Sequence, residues 1–142
     1  MNTENTMDNF DNSHSEAHSG WRYELAQMIA DKTDLDRFGI EAMYLIGSTK
    51  NFTAGPESDI DIMFHFRGNK SQKKALKAWI EGWNHGLAAI NSLNAKQNTP
   101  ECYFDIHIIT DEDIKNKNSF ASMIGSLNNS ARLIKSKETN GL

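Results

Sequence analysis

The chain has very little cysteine, and it lacks any long apolar run. Cys102 is its only cysteine, so no intramolecular disulfide can form, and we expect a reducing, cytoplasmic setting. No apolar run approaches the roughly 20 residues that a transmembrane helix needs, so we expect no membrane partner. Residues 1–18 contain neither a basic segment nor an apolar one, and we therefore expect no secretory signal.

Positive charge is also scarce. The formal net charge is −4 and the sequence pI is about 5.7. This balance disfavours a nucleic-acid partner, which would need a basic stripe, whereas a single nucleotide needs only a local pocket. Hydrophobic residues make up 38% of the chain, which predicts one domain over residues 19–135. We expect a disordered tail over residues 1–18 and a flexible C-terminus over residues 136–142.

The spacing of apolar residues predicts the order helix, strand, strand, helix, strand, helix. This order is typical of an α/β (α+β) domain, in which helices pack against a small mixed β-sheet. The predicted strands cover residues 40–46, 58–66 and 101–110, and a long helix covers residues 70–93.

More specific predictions can be made for the first and last helices. The first ends at Gly39, and its buried stripe is expected to contain Trp21, Leu25, Met28, Ile29 and Lys32. Thr110 is the expected N-cap where helical structure resumes after the third strand. Residues 119–134 are predicted to form a weak final helix that Gly125 loosens.

Acidic residues interrupt two of the apolar strands. Because side chains alternate along a strand, Asp59 and Asp61 share one face of the second strand, and the opposite face is wholly apolar. Asp105 lies on the corresponding face of the third strand. If these strands are neighbours, the three carboxylates converge on one patch of the sheet.

Clustered carboxylates repel one another and need cations. Their oxygen atoms suit Mg²⁺ or Mn²⁺, and side chains two positions apart on a strand can hold two ions about 3.5–4 Å apart, as two-metal phosphoryl transfer requires. For an isolated Asp-x-Asp, a solvated sheet face is the favoured interpretation. The low strand propensity of aspartate and the third acid, Asp105, favour the functional interpretation.

A glycine turn precedes the acidic strand. Gly47 and Ser48 directly follow the first predicted strand, where backbone N–H groups and the Ser48 hydroxyl could hold phosphate oxygens. An ordinary strand-ending turn is the alternative. Lys50 is the best-placed cation of this loop. His65 and His107 share faces with the acids, although partly buried, hydrogen-bonded histidines are the commoner case.

These motifs together resemble the DNA polymerase β-type nucleotidyltransferase superfamily and its minimal nucleotidyltransferases. The resemblance consists of Ile46-Gly47-Ser48, a loop of about ten residues, Asp59-Ile60-Asp61, and the later acid in "YFDIHI". The phrases "GSTKNFTAGPESDIDIMFHFRG", "EGWN" and "DIHIITDEDI" more narrowly resemble the nucleotidyltransferase domain associated with pyruvate, phosphate dikinase-type enzymes.

The resemblance implies a transferase of the EC 2.7.7 type, with the superfamily's small mixed sheet and packed helices. Its reaction would move an NMP, with AMP favoured, from a nucleoside triphosphate, with ATP favoured, to a hydroxyl of a protein or small molecule. Gly47, Ser48 and Lys50 would bind the triphosphate. Asp59, Asp61 and Asp105 would be the catalytic residues and would hold two Mg²⁺ ions, or Mn²⁺ in their place.

Two departures leave alternatives open. Many minimal members carry Arg-Gly soon after Gly-Ser, but here those positions are Asn51 and Phe52. Little chain follows the third strand, so we expect a second copy or a partner subunit to complete the acceptor surface. A non-catalytic nucleotide-binding, antitoxin or regulatory module on the same fold is the alternative function. A third possibility is that the acids only make a sheet face soluble.

Overall fold

A computed structural model of the chain describes residues 20–47, 59–94, 103–125 and 130–137. The predicted disordered tail and the loop after Gly47 lie outside these ranges. Of the expected flexible C-terminus, residues 136 and 137 are described and the rest of that segment is not.

The described residues form a mixed sheet of four strands in the order β3-β2-β1-β4. These strands are β1 (Ile40–Ile46), β2 (Ile60–Phe66), β3 (Phe104–Ile109) and β4 (Arg132–Ser136). β1 pairs antiparallel with both β2 and β4, whereas β2 and β3 are parallel neighbours. The predicted mixed sheet with packed helices is therefore confirmed.

The helices are α1 (residues 20–32), α2 (Leu35–Phe38), α3 (Lys70–Asn94), α4 (Asp111–Asn116) and a 3-10 helix (Ser119–Met123). α2 ends at Gly39, whose φ of 68° is the left-handed conformation that favours glycine. α4 begins at the predicted cap, because the Thr110 hydroxyl accepts from the backbone of Asp113 and the Asp113 carboxylate accepts in return.

The main core lies between the helices and one face of the sheet. Ile60, Ile62 and Phe64 of β2 are fully buried there, in one cluster with residues of α1 and α3. The opposite face is also partly covered, since Met63 packs with Ala121 of the 3-10 helix in a smaller cluster. This second cluster explains why β2 is buried at alternate positions that a one-sided sheet would expose.

The predicted stripe of α1 is confirmed at Ile29, which is fully buried, and at Leu25, which packs against the core, but it is wrong at the other three positions. Trp21 and Met28 are 41% and 46% exposed, and Lys32 is exposed as well. The buried residues are Arg22, Ala26, Ile29 and Ala30. Both sets have helical spacing, so periodicity alone could not separate them, and small alanines let the helix lie close to the core.

The predicted first helix is also interrupted before Gly39. The Thr33 hydroxyl donates to the Ile29 carbonyl at 2.6 Å, a bond within the last turn of α1. The Asp34 side chain then accepts from the backbone N–H of Arg37 and starts α2.

The predicted final helix over residues 119–134 is wrong. A 3-10 helix covers Ser119–Met123, Gly125 has a φ of 73°, and Arg132–Ser136 forms β4 against β1. The apolar pattern of so short a segment is compatible with either a helix or a strand, and pairing with the edge of β1 stabilises the strand.

Candidate active site

The site is built on the two parallel strands of the sheet. Asp61 of β2 and Asp105 of β3 are register partners, so their side chains stand next to each other. They lie on the face opposite Ile60 and Ile62, the face that the smaller cluster covers only in part. Two of the three carboxylates predicted from the sequence are thus brought together.

His107 joins the carboxylate pair. Its Nε2 atom lies 3.2 Å from Oδ1 of Asp61 and 3.6 Å from Oδ2 of Asp105. One ligand atom from each of the three residues falls within 4.8 Å of the others. The Phe120 ring lies against the imidazole with 4.1 Å between centroids, which limits the movement of the ring. Strand alternation placed His107 on the acidic face, but it could not show that it contacts both acids.

The cluster disfavours a negative charge on Asp61. Burial raises the pKa of this carboxyl above its usual range, and the nearby Asp105 carboxylate raises it further. The hydrogen bond and positive potential of His107 act in the opposite direction. A bound cation would offset both the free-energy cost of burying the Asp61 charge and its repulsion with the Asp105 carboxylate.

Gly47 lies directly against Asp61. Its φ is 78°, and a Cβ built on it would come within 2.7 Å of Oδ2 of Asp61. The preceding residue, Ile46, is the register partner of Asp61 across β1 and β2. Glycine is therefore required twice at this turn, by backbone conformation and by the space that the carboxylate occupies.

Asp59 stands apart from this cluster. It is exposed, precedes β2 and is not among the three residues whose ligand atoms converge. Asp59 instead influences Arg22. Burial lowers the pKa of the Arg22 guanidinium, and electrostatic interactions with Tyr103 and then with Asp59 raise it in part. Sequence reasoning missed Arg22, because no hydrophobic pattern predicts a buried arginine. Ser48 and Lys50 lie outside the described residues.

A second polar group fixes the start of α4. The ring of His65 contacts the Asp111 carboxylate at 2.5 Å, and Arg67 Nε donates to both oxygens of that carboxylate at 2.8 and 3.0 Å. Arg67 also pairs with Glu41 at 3.3 Å. The hydrogen bond from Arg67 lowers the pKa of Asp111 most, and the hydrogen bond with His65 lowers it further. His65 and Arg67 are thus both held by protein groups.

The Asp61, Asp105 and His107 cluster fits a divalent metal. Carboxylate oxygens and an imidazole nitrogen are donors that such ions accept in proteins. The pKa of Asp61 is raised first by burial and also by the Asp105 carboxylate, and a bound cation would favour the ionised form. In the described part of the chain, no helix has the length and apolar character needed to cross a membrane.

A glycine turn against paired carboxylates on neighbouring strands is the kind of site that handles metal-bound phosphates. A family model described as "Nucleotidyltransferase domain" matches residues 32–124, which include Gly47, Asp61 and Asp105. The chain belongs to the nucleotidyltransferase domain family, and this membership supports a transferase that uses a nucleoside triphosphate. Comparisons with curated proteins and with solved structures found no match. The narrower resemblance to domains associated with pyruvate, phosphate dikinase-type enzymes stays a prediction.

Proposed function

We propose that the protein moves an NMP, with AMP favoured, from a nucleoside triphosphate to a hydroxyl of a protein or small molecule. The observation that carries the proposal is the pairing of Asp61 with Asp105 directly against Gly47. Family membership supports NMP transfer in general. ATP as donor, the hydroxyl acceptor and two-metal catalysis are the specific parts of the proposal.

In this proposal Asp61 and Asp105 hold Mg²⁺, or Mn²⁺, and Asp59, which is exposed and lies outside their cluster, is the third acid. Bound there, two ions would activate the attacking hydroxyl and neutralise charge on the phosphates. Asp105 has a 52% exposed side chain, against 28% for Asp61, so Asp105 is the more accessible group to accept the hydroxyl proton. The hydroxyl oxygen then bonds to the α-phosphorus, and pyrophosphate leaves.

The triphosphate would lie over the glycine turn. Gly47 brings the backbone of the turn directly against the Asp61 carboxylate, so phosphates held by that backbone would lie close to a metal held by Asp61. Ser48 and Lys50 follow it in sequence and belong to the same proposed site. Positioning of the triphosphate and neutralisation of its charge would supply most of the acceleration.

A second copy of the chain is the proposed source of additional acceptor surface. α3 has an apolar groove of about 390 Å³ whose lining includes Trp79, Trp83, Gly86 and Ile90, and Ile90 is 60% exposed. Because the groove and this exposed side chain lie on one helix, the surface can be self-complementary under two-fold symmetry. Sedimentation velocity tests this part separately. A monomer at assay concentration would remove the dimer and leave the transfer proposal intact.

The transfer proposal is tested with α-³²P-labelled nucleoside triphosphates, Mg²⁺ or Mn²⁺, and a panel of hydroxyl acceptors. We expect metal-dependent labelling and pyrophosphate release in the wild type, and loss of at least about 100-fold in Asp61→Asn, as expected when a major charge-stabilising group is lost. Asp31→Asn, a change at an exposed aspartate of α1, is the matched control. Metal-dependent nucleotide binding without turnover would favour the regulatory-module alternative, and absence of binding would leave only a structural role.

A further inference from the structure

We infer that His107 is a metal ligand through Nε2, beside Asp61 and Asp105, and that its nitrogen makes the site select divalent transition metals over Mg²⁺. This inference rests on the metal-binding part of the proposed function and deepens it. The superfamily resemblance implies carboxylates alone, whereas the geometry of this chain adds an imidazole.

The distances suit a shared ion. Two ligand atoms about 2.1 Å from one metal lie roughly 3.0 Å apart at an octahedral right angle and roughly 3.4 Å apart at a tetrahedral angle. The Nε2 atom of His107 is 3.2 Å from an Asp61 oxygen and 3.6 Å from an Asp105 oxygen. The nitrogen thus lies near both carboxylates, which is the position that a third ligand of a shared ion would take.

The imidazole is also held in place before any ion arrives. His107 lies two residues after Asp105 on the same strand face, and its side chain is only 18% exposed. The Phe120 ring lies against it at 4.1 Å and an interplanar angle of 43°. Because the folded chain already restricts the imidazole ring, metal binding costs little additional side-chain conformational entropy.

The added nitrogen changes the expected metal preference. Sets made only of oxygen atoms suit Mg²⁺, whereas imidazole favours later ions such as Co²⁺ and Zn²⁺, whose affinity for mixed sites exceeds that of Mn²⁺. Nε2 would give up its proton on binding, as imidazole ligands do. We therefore expect Co²⁺ to bind more tightly than Mg²⁺, and expect this difference to depend on His107.

Pulsed EPR of bound Mn²⁺ tests the ligand directly, without nucleotide and without turnover. We expect ¹⁴N modulation in the wild type, its loss in His107→Asn, and its retention in His85→Asn, a change at an exposed histidine of α3. Calorimetry should show about a tenfold or greater loss of Co²⁺ affinity in His107→Asn and little change for Mg²⁺. His107→Gln is the second variant if His107→Asn fails to fold.

The outcomes separate this inference from the proposed function. Mn²⁺ bound to the wild type without ¹⁴N modulation would overturn the inference and leave the transfer proposal standing. Modulation that survives in a folded His107 variant would do the same. Modulation together with absence of nucleotide transfer would contradict the proposed function alone. If the wild type binds neither Mn²⁺ nor Co²⁺, the inference and the metal part of the proposal both fail.

Discussion

Asp61 and Asp105 are register partners on the parallel strands β2 and β3, on the sheet face opposite the main core. The arrangement opposes its own ionisation, because burial and the neighbouring carboxylate both raise the pKa of Asp61. Asp105 is more than half exposed, whereas Asp61 is partly buried and lies directly against Gly47. A cation held between the two carboxylates would favour the ionised form of Asp61.

Replacing Asp61 by Asn should stabilise the metal-free protein while abolishing transfer. The neutral amide avoids the cost of burying a charge beside Asp105, so we expect the free energy of unfolding to rise by about 1 kcal/mol at pH 7. Urea unfolding without metal measures it, with Asp31→Asn as control.

The same comparison has a pH signature. The pKa of Asp61 is higher in the folded chain, so its protonation favours the folded state, and this stabilisation is lost as pH rises through that pKa. The stability advantage of Asp61→Asn should therefore shrink as the pH falls from 7 through the raised pKa of the wild-type carboxyl. An Asn variant that is clearly less stable than the wild type at pH 7 would count against this account.

Gly47→Ala should reduce stability and activity by more than the left-handed backbone conformation of Gly47 alone explains. Gly47 and Gly125 have similar φ values of 78° and 73°, so alanine at either should cost about 1–2 kcal/mol. Only at Gly47 would the new Cβ collide with Asp61, because Gly125 has open space around that position. We expect a larger stability loss and lost transfer in Gly47→Ala, with transfer retained in Gly125→Ala. Equal effects in unfolding and activity assays would refute the close approach.

Asp111 should stabilise the fold in a pH-dependent way. Arg67 and His65 lower its pKa, so its contribution is present above the unfolded value near 4 and is lost as pH falls through the lower folded value. Asp111→Asn should reduce Tm at pH 7, and the difference from the wild type should vanish in strong acid. Glu112→Gln, in the same first turn of α4, controls for helix-dipole effects and should change Tm less at every pH.

Lys135 of β4 should contribute more to stability than its neighbour Lys137. Its Nζ donates to the carbonyls of Ala30 at 2.9 Å and Thr33 at 2.8 Å, so it satisfies the end of α1. Lys135→Met should cost about 1–3 kcal/mol in denaturant unfolding, because the Thr33 carbonyl loses the ammonium donor and the Ala30 carbonyl keeps only the N–H of Thr33. Lys137→Met removes partly exposed ion pairs with Asp36 and Glu41 and should cost less than about 1 kcal/mol. Equal losses would show that β4 is not anchored in this way.

Much of this fold follows from sequence patterns, and the failures have physical causes. A short apolar, aromatic run predicted β1, apolar residues alternating with acids predicted β2 and β3, and helical spacing predicted α3. The buried face of α1 was missed because Ala26 and Ala30 give a weak hydrophobic signal. β4 was missed because pairing with the edge of β1, a long-range contact, decides its conformation.

The site was predictable to a similar extent. Alternation identified the face shared by Asp61, Asp105 and His107, and their neighbouring strands bring them together. The alternation pattern could not show which of these side chains contact one another. In the structure His107 contacts both acids, whereas Asp59, expected beside them, acts on Arg22.

The central claim is that Asp61 and Asp105 bind a divalent metal that in turn binds a nucleoside triphosphate. Titration calorimetry of ATP into the wild type and Asp105→Asn, each with Mg²⁺, with Mn²⁺ or with EDTA, tests it most directly. We predict binding by the wild type only when metal is present, and affinity at least about tenfold weaker in Asp105→Asn, as expected for loss of a metal ligand. ATP binding of equal strength in EDTA, or unchanged binding in the variant, would contradict it.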